Sequence, residues 1–186
     1  MTSVLKVNNI QDSTGTSAMT ISSAGVISQP ALPIFHVTKS VDQGPIAHNT
    51  DTLITFDEVT DGSNGGRTIN QGGLFGSNKL TVNANTTGYY WVYTNIYWQT
   101  SQAINGSNYG FWKKNGSINL DTLYTNSQGL SDTVGVIKSG QVVDLTTSGD
   151  YIEFWINFNQ ASSGTVTINQ DSLTLQRTTV GGWKIG

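Results

Sequence analysis

The residues able to do chemistry in this chain are few, and their spacing suits little of it. The two histidines, His36 and His48, lie 12 positions apart. That matches neither the i, i+4 helical pair nor the alternate-residue strand pair of common metal sites. Cys is absent, so no thiolate is available as nucleophile or ligand. None of the 19 Ser sits in a Gly-x-Ser-x-Gly elbow. Glycoside hydrolysis needs two facing carboxylates with one of them desolvated; the candidates Asp57, Glu58, Asp150 and Glu153 read as turn or strand-edge residues. An EF-hand register begun at Asp57 puts Val59 on a ligand position and Thr68 where the bidentate Glu belongs. Gly62, Gly65, Gly66, Gly72 and Gly73 precede no Lys-Ser/Thr and no helix, so they cradle no phosphate. The expectation is a protein that is not an enzyme, with no catalytic residue, no cofactor and no metal.

Composition indicates what these residues sit on. Ser 19, Thr 25, Asn 17, Gln 11 and Gly 21 make up 93 of 186 residues, against 9 basic and 12 acidic ones. Ser, Thr, Asn and Gly are poor helix-interior residues. Disorder is disfavoured too, because 5 Trp, 7 Tyr and 6 Phe supply apolar area and the net charge is only −3. The class that remains is all-β. Nine scattered Lys and Arg, with Lys113-Lys114 the one doublet, form no basic stripe, so nucleic acid is not an expected partner. No apolar run is long enough for a signal h-region or a membrane span, which predicts neither classical secretion nor membrane insertion.

Residues 1–29 read as a separate unit. Its apolar residues include Val4, Val7, Ile10, Met19, Ile21, Val26 and Ile27, split by turn signals at Asp12–Gly15 and Ser22–Gly25. So few cannot form a core alone, and the segment must pack on its own copies or on another protein. Pro30 and Pro33 make 30–33 a stiff linker. From 34 to 178 strand candidates alternate with turns: Ile34–Lys39, Thr52–Glu58, Leu74-Phe75 with Leu80–Asn83, Tyr89–Gln99, Tyr109–Lys114, Ile118–Tyr124, Thr133–Leu145, Tyr151–Phe158 and Thr165–Arg177. Asn115-Gly116 is the best hairpin turn, because both residues accept positive φ. Eight to ten strands predict a β-sandwich or jelly roll. Residues 179–186 read as a C-terminal tail, with a neighbouring subunit and its own head as the two candidate anchors for Trp183.

One strand candidate carries more than a fold assignment. Between Tyr89 and Trp98 one face presents Tyr89, Trp91, Tyr93 and Tyr97, and the other Tyr90, Val92, Ile96 and Trp98. A strand with one wet face should alternate apolar and polar. Both faces here are apolar, and the second aromatic strand, which contains Phe154, is partly so. A subunit interface is the economical cover for the second face.

The order of motifs from about Pro33 to Arg177 resembles the globular head of complement component 1q, a member of the tumour-necrosis-factor-like jelly rolls. The matching residues are Pro33–Val37, Ile54-Thr55-Phe56-Asp57-Glu58-Val59, Gly73-Leu74-Phe75, Gly88-Tyr89-Tyr90, Lys114-Asn115-Gly116, Gly149–Phe154, and Val166–Ile168 through Leu173–Leu175. Val92 and Thr94 stand where that family carries Phe. The resemblance implies a tight homotrimer with aromatic strands near the threefold, here Tyr89, Trp91, Tyr93, Tyr97 and Phe154. The phrases Val7–Gly15 and Met19–Ile27 resemble the opening segments of small fibre-like virion proteins of tailed bacteriophages. This implies attachment to a phage capsid or tail protein through Val4, Val7, Ile10, Met19 and Ile21. The expected protein is a virion-surface structural protein, assembled in the host cytoplasm, of capsid-decoration or head-fibre type. The alternative is a tail-fibre adhesin tip whose loops Ser101–Tyr109 or Thr125–Ser131 recognise a host surface glycan.

Overall fold

The computed structural model describes residues 7–11, 13–15, 17–28, 32–57, 59–60, 68–100, 107–126, 133–159, 165–169 and 178–185, with backbone alone at 28, 107, 118–119, 121–126 and 133–134. The chain divides into two compact units, Met1–Pro33 and Ile34–Gly186.

In the first unit, β1 (Asn9–Gln11), β2 (Ser17–Ile21) and β3 (Ile27–Ser28) form a three-stranded antiparallel sheet in that order. Gly15 and Gly25 take φ of 88° and 78° in the connecting turns, a region L side chains rarely enter. None of the described side chains between residues 7 and 27 is buried.

The second unit contains β4 (Ile34–Thr38), β5 (Gln43–Ile46), β6 (Thr52–Leu53), β7 (Ile69–Asn70), β8 (Phe75–Gly76), β9 (Lys79–Thr81), β10 (Gly88–Thr100), β11 (Ser107–Lys114), β12 (Ile118–Asn126), β13 (Thr133–Leu145), β14 (Tyr151–Asn157), β15 (Val166–Ile168) and β16 (Thr179–Lys184). They make two antiparallel sheets. In one, β10 is the hub. Along one side it pairs with β13 over its full length, and along the other with β16 through Tyr90–Asn95 and β15 through Trp98–Thr100. From there β16 leads to β4 and β7, and β15 to β5. The second sheet runs β12-β11-β14-β9-β8, with β6 also on β14.

The core lies between these sheets. Along β10, Tyr90, Val92, Ile96 and Trp98 are each at most 2% exposed. From the facing sheet come Trp112, Ile152, Phe154 and Ile156, equally buried. Trp112 meets Phe154 edge-on at 5.1 Å between ring centroids, and Trp98 meets Phe158 at 5.3 Å. Burying one such side chain is worth roughly 1.5–3 kcal/mol, so this layer is the main source of stability. Trp112 also donates its Nε1 proton across the sandwich to Ser139 Oγ at 3.1 Å, which keeps that buried polar atom satisfied.

The β11–β12 hairpin forms at Asn115-Gly116, with φ of 53° and 74°. The Asn115 side chain ties it to the turn before β14, donating to Asp150 Oδ1 and accepting from the Tyr151 N–H, both at 2.9 Å. Lys114 adds an ion pair to Asp150 at 3.2 Å.

Two sequence expectations are corrected here. Residues 179–184 are not a tail: they form β16, a central strand between β10 and β4. Gly181-Gly182 carries no apolar alternation, but a Cβ at Gly182 would lie 2.9 Å from the Phe35 ring and 3.1 Å from Val92. Nor is 165–177 the last strand; β15 covers Val166–Ile168, and 170–177 lie outside the described residues.

Candidate functional site

Because β10 is extended, its odd-numbered residues point away from the core. Tyr89, Trp91, Tyr93 and Tyr97 therefore share the outer face of their sheet, the face assigned to them from sequence. Tyr89 is 49% exposed and the other three are half-buried. Register identifies their neighbours. Trp91 lies opposite Val142 on β13 and Trp183 on β16, with Ile34 of β4 beyond. Tyr93 lies opposite Gly140 and Gly181, with His36 beyond. Trp183 sits 6.4 Å from both Trp91 and Tyr93, ring centroid to ring centroid.

The two glycines flatten this face. A Cβ at Gly140 would come within 2.9 Å of the Trp91 ring. A Cβ at Gly181 would meet the Tyr93 hydroxyl and lie 2.5 Å from its Cζ. Both rings can lie down on the neighbouring strands only because those positions lack side chains. Tyr93 crosses Gly181 to share a 2.6 Å hydrogen bond with His36 Nδ1, and the two rings are stacked. Burial pushes the Tyr93 hydroxyl above its ordinary range, so it stays neutral.

The result is a patch of Tyr89, Trp91, Tyr93, Trp183, Val142 and Ile34 in which Tyr89, Val142 and Trp183 are 49%, 53% and 39% exposed. Isolated exposed apolar residues are ordinary, whereas a contiguous aromatic patch marks a contact surface. Charged residues of this sheet face stand at its margin, Asp144 beside Tyr89 and Lys138 beside Asn95. At the far end of β10 the face turns polar. There Asp42, Gln99, Thr165, Thr167 and Asn169 line an open groove of about 280 Å³.

Phe154 does not belong to this face. It is 1% exposed and packs in the core on Trp112, so a partner chain has no access to it. Its neighbour on the outward side of β14 is Trp155, whose ring is covered by Lys113 Nζ at 4.1 Å. Sequence reasoning did not assign Val142, Ile34, Trp183 (left open between two anchors) or His36 (considered only as a metal ligand) to this face. Alternation of Trp183 with Gly181 was the one signal available.

Of the attachment candidates, Val4 lies outside the described residues. Ile10 pairs with Met19, and Ile21 with Ile27, so these four share one face of the small sheet. Ile10 is 48% and Ile27 59% exposed; Met19, Ile21 and Val7 are half-buried.

The carboxylates considered for chemistry are dispersed. Asp57 accepts from the Ser40 N–H at 3.0 Å and from the Ser40 hydroxyl. Glu58 lies outside the described residues. Glu153 accepts from Trp155 Nε1 at 3.2 Å. Asp150 holds the hairpin turn; burial raises its pKa, but hydrogen bonds from Asn115 and Thr147 and the Lys114 charge bring it below the usual carboxylate range. Among the described residues no three His, Asp or Glu gather as metal ligands would.

No family model and no curated protein sequence matches this chain. Solved structures do. The crystal structure of murine APRIL superposes with a TM-score of 0.52 at 16% identity, covering 83% of this chain and 99% of that one. The globular domain of zebrafish complement 1qA protein superposes with a TM-score of 0.50 at 12% identity, covering 83% and 98%. The fold is a jelly-roll β-sandwich of the tumour-necrosis-factor and complement 1q type.

Proposed function

We propose that this chain is a non-enzymatic, self-associating structural protein of a phage virion surface, carried by the outer face of β10. The observation behind the self-association is the aromatic patch of Tyr89, Trp91, Tyr93 and Trp183, open to solvent in one chain and flattened by Gly140 and Gly181. Covering it with equivalent faces of other copies removes several aromatic side chains from water, each worth kilocalories per mole. Three copies is the number implied by the sequence resemblance to complement 1q heads. The N-terminal sheet, with Ile10, Met19, Ile21 and Ile27 on one face and none of its described side chains buried, serves as the attachment to a capsid or tail protein. Its resemblance to phage adaptor segments supports a capsid-decoration or head-fibre role and a location on the virion. Deleting residues 1–29 is expected to leave a folded, self-associated head that no longer joins the particle. Unchanged incorporation would refute the attachment role.

A second reading, an adhesin recognising a host surface glycan, draws on the polar groove of Asp42, Gln99, Thr165, Thr167 and Asn169, whose amides, hydroxyls and carboxylate suit sugar hydroxyls. Of the loops first considered for it, 101–106 and 127–131 lie outside the described residues. A glycan array probed with the intact protein separates the readings: binding lost on Asp42→Ala supports the adhesin, and background signal throughout supports the structural role.

A further inference from the structure

We propose that the polar groove at the far end of β10 binds one neutral pyranose ring of a host surface glycan, with Tyr97 as its stacking platform and Gln99, Thr167 and Asn169 as its hydrogen-bonding floor. This deepens the adhesin reading above and rests on it; it asks nothing of the aromatic patch at the opposite end of the strand. Strand register assembles the site. Gln99 lies opposite Thr167 on β15. Two residues on, Asn169 donates its backbone N–H to the Tyr97 carbonyl at 2.9 Å, which places it beside Tyr97 on the same outer face. Past β15, β5 pairs Gln43 with Ile168, and Asp42 precedes Gln43. Gly44 keeps that side clear, because a Cβ there would lie 3.0 Å from Thr167 Oγ1. With Thr165 these residues line an open groove of about 280 Å³, and Tyr97 stands at its end toward the patch.

The lining selects the class of ligand. β15 is paired on both sides, with β10 and with β5, so its backbone is not open to an added peptide strand. Recognition falls to side chains. Amides and hydroxyls both donate and accept, and that is what the vicinal hydroxyls of a sugar require. Asn169 Oδ1 is buried with no hydrogen-bond partner. A buried acceptor calls for a donor, and a ligand hydroxyl in the groove supplies one. Tyr97 is half-buried, and its ring suits the apolar C–H face of a pyranose.

Charge narrows the class to neutral sugars. None of the described lining residues is a cation. Lys39, whose charge acts on Asp42, is 2% exposed and donates to Thr55 O and Thr55 Oγ1, both at 2.9 Å. It is therefore turned to its own fold rather than to the groove. Lys138 lies on the other side of β10, opposite Asn95. A sialic acid, uronate or sugar phosphate seated here would lose water from its charge and gain no cation in return. A neutral pyranose carries no such cost.

The test is an array of neutral and acidic glycans, sialylated, uronate-containing and phosphorylated ones included, probed with the full chain over a concentration series. Neutral glycans are expected to bind, and acidic ones to bind no better than their neutral parents. Gln99→Ala, at an exposed position, and Thr167→Val, which keeps the shape and removes the hydroxyl, should each raise the half-saturating concentration at least about twofold. Tyr97→Ala should do the same, while Tyr97→Phe, which keeps the ring, should match wild type. Circular dichroism accompanies each variant; should Tyr97→Ala fail to fold, Gln99→Ala and Thr167→Val carry the test of the groove. A silent array would overturn the adhesin reading, and this site with it. Glycan binding unchanged in both Gln99→Ala and Thr167→Val would overturn the groove as the site and leave the adhesin reading standing. Binding confined to acidic glycans would overturn the neutral class alone. A Tyr97→Phe loss as large as that of Tyr97→Ala would overturn the stacking platform.

Discussion

Gly181→Ala is the most informative single substitution. The new Cβ would meet the Tyr93 hydroxyl and lie 2.5 Å from Cζ and 2.8 Å from Cε1, distances a packed methyl does not reach. The obstruction is an aromatic ring held between Trp183 and His36, so relief requires the ring to lift off the sheet and give up its 2.6 Å bond to His36. Overpacking of this kind costs about 1–3 kcal/mol and the lost hydrogen bond about 1 kcal/mol. Replacing a strand glycine by alanine returns about 0.5–1 kcal/mol. The expected net loss is about 2 kcal/mol, a fall in Tm of about 4–8 °C for a unit of this size. The assay is thermal and urea unfolding at one fixed protein concentration, because association contributes to apparent stability. A double-mutant cycle isolates the cause. In a Tyr93→Ala background the same substitution should be neutral or stabilising by about 0.5 kcal/mol, a coupling of about 2–3 kcal/mol. An equal cost with and without the Tyr93 ring would refute the account of Gly181 as the floor under that ring.

Further consequences separate core from contact face. Phe154→Ala, in the core against Trp112, should cost about 3–5 kcal/mol in urea unfolding, whereas Tyr89→Ser should leave the stability of the separated chain within about 0.5 kcal/mol and weaken assembly in sedimentation. Asn115→Ala removes two 2.9 Å bonds and an Asn at positive φ; a loss of about 1–3 kcal/mol is expected in chemical denaturation. The folded-state pKa of Asp150 is depressed, so its contribution is complete above the unfolded value of about 3.9 and is lost as pH falls through the lower folded value. Melting temperature followed through that acid range should drop less steeply in Asp150→Asn than in wild type.

How much of this was legible beforehand depended on whether a residue's role is local. The two faces of β10 could be read because bulky residues alternate along one long strand, and period-2 patterning fixes sidedness without tertiary information. The Asn115-Gly116 turn was legible for a similar reason, since positive φ is a property of the residue itself. β16 was hidden because Gly181 and Gly182 answer to other strands, Gly181 to the Tyr93 ring and Gly182 to Phe35. β5 was hidden by Gly44 and Pro45, residues that argue against a strand when read alone. Phe154 was misplaced because β14 is aromatic on both sides. Its phase is set by pairing with β11, which puts Phe154 opposite Trp112 inside and Trp155 opposite Phe111 outside. His36 looked idle because its partner lies 57 residues along the chain.

The central claim is that the outer face of β10 holds copies of this chain together. Light scattering coupled to size exclusion at neutral pH, on the full chain and on Trp91→Ser/Trp183→Ser, tests it most directly. A mass near three times the 20.0 kDa of one chain is expected, collapsing toward a single folded chain in the double variant. A wild-type mass of one chain at every accessible concentration, or an assembly untouched by loss of both tryptophans, would contradict it.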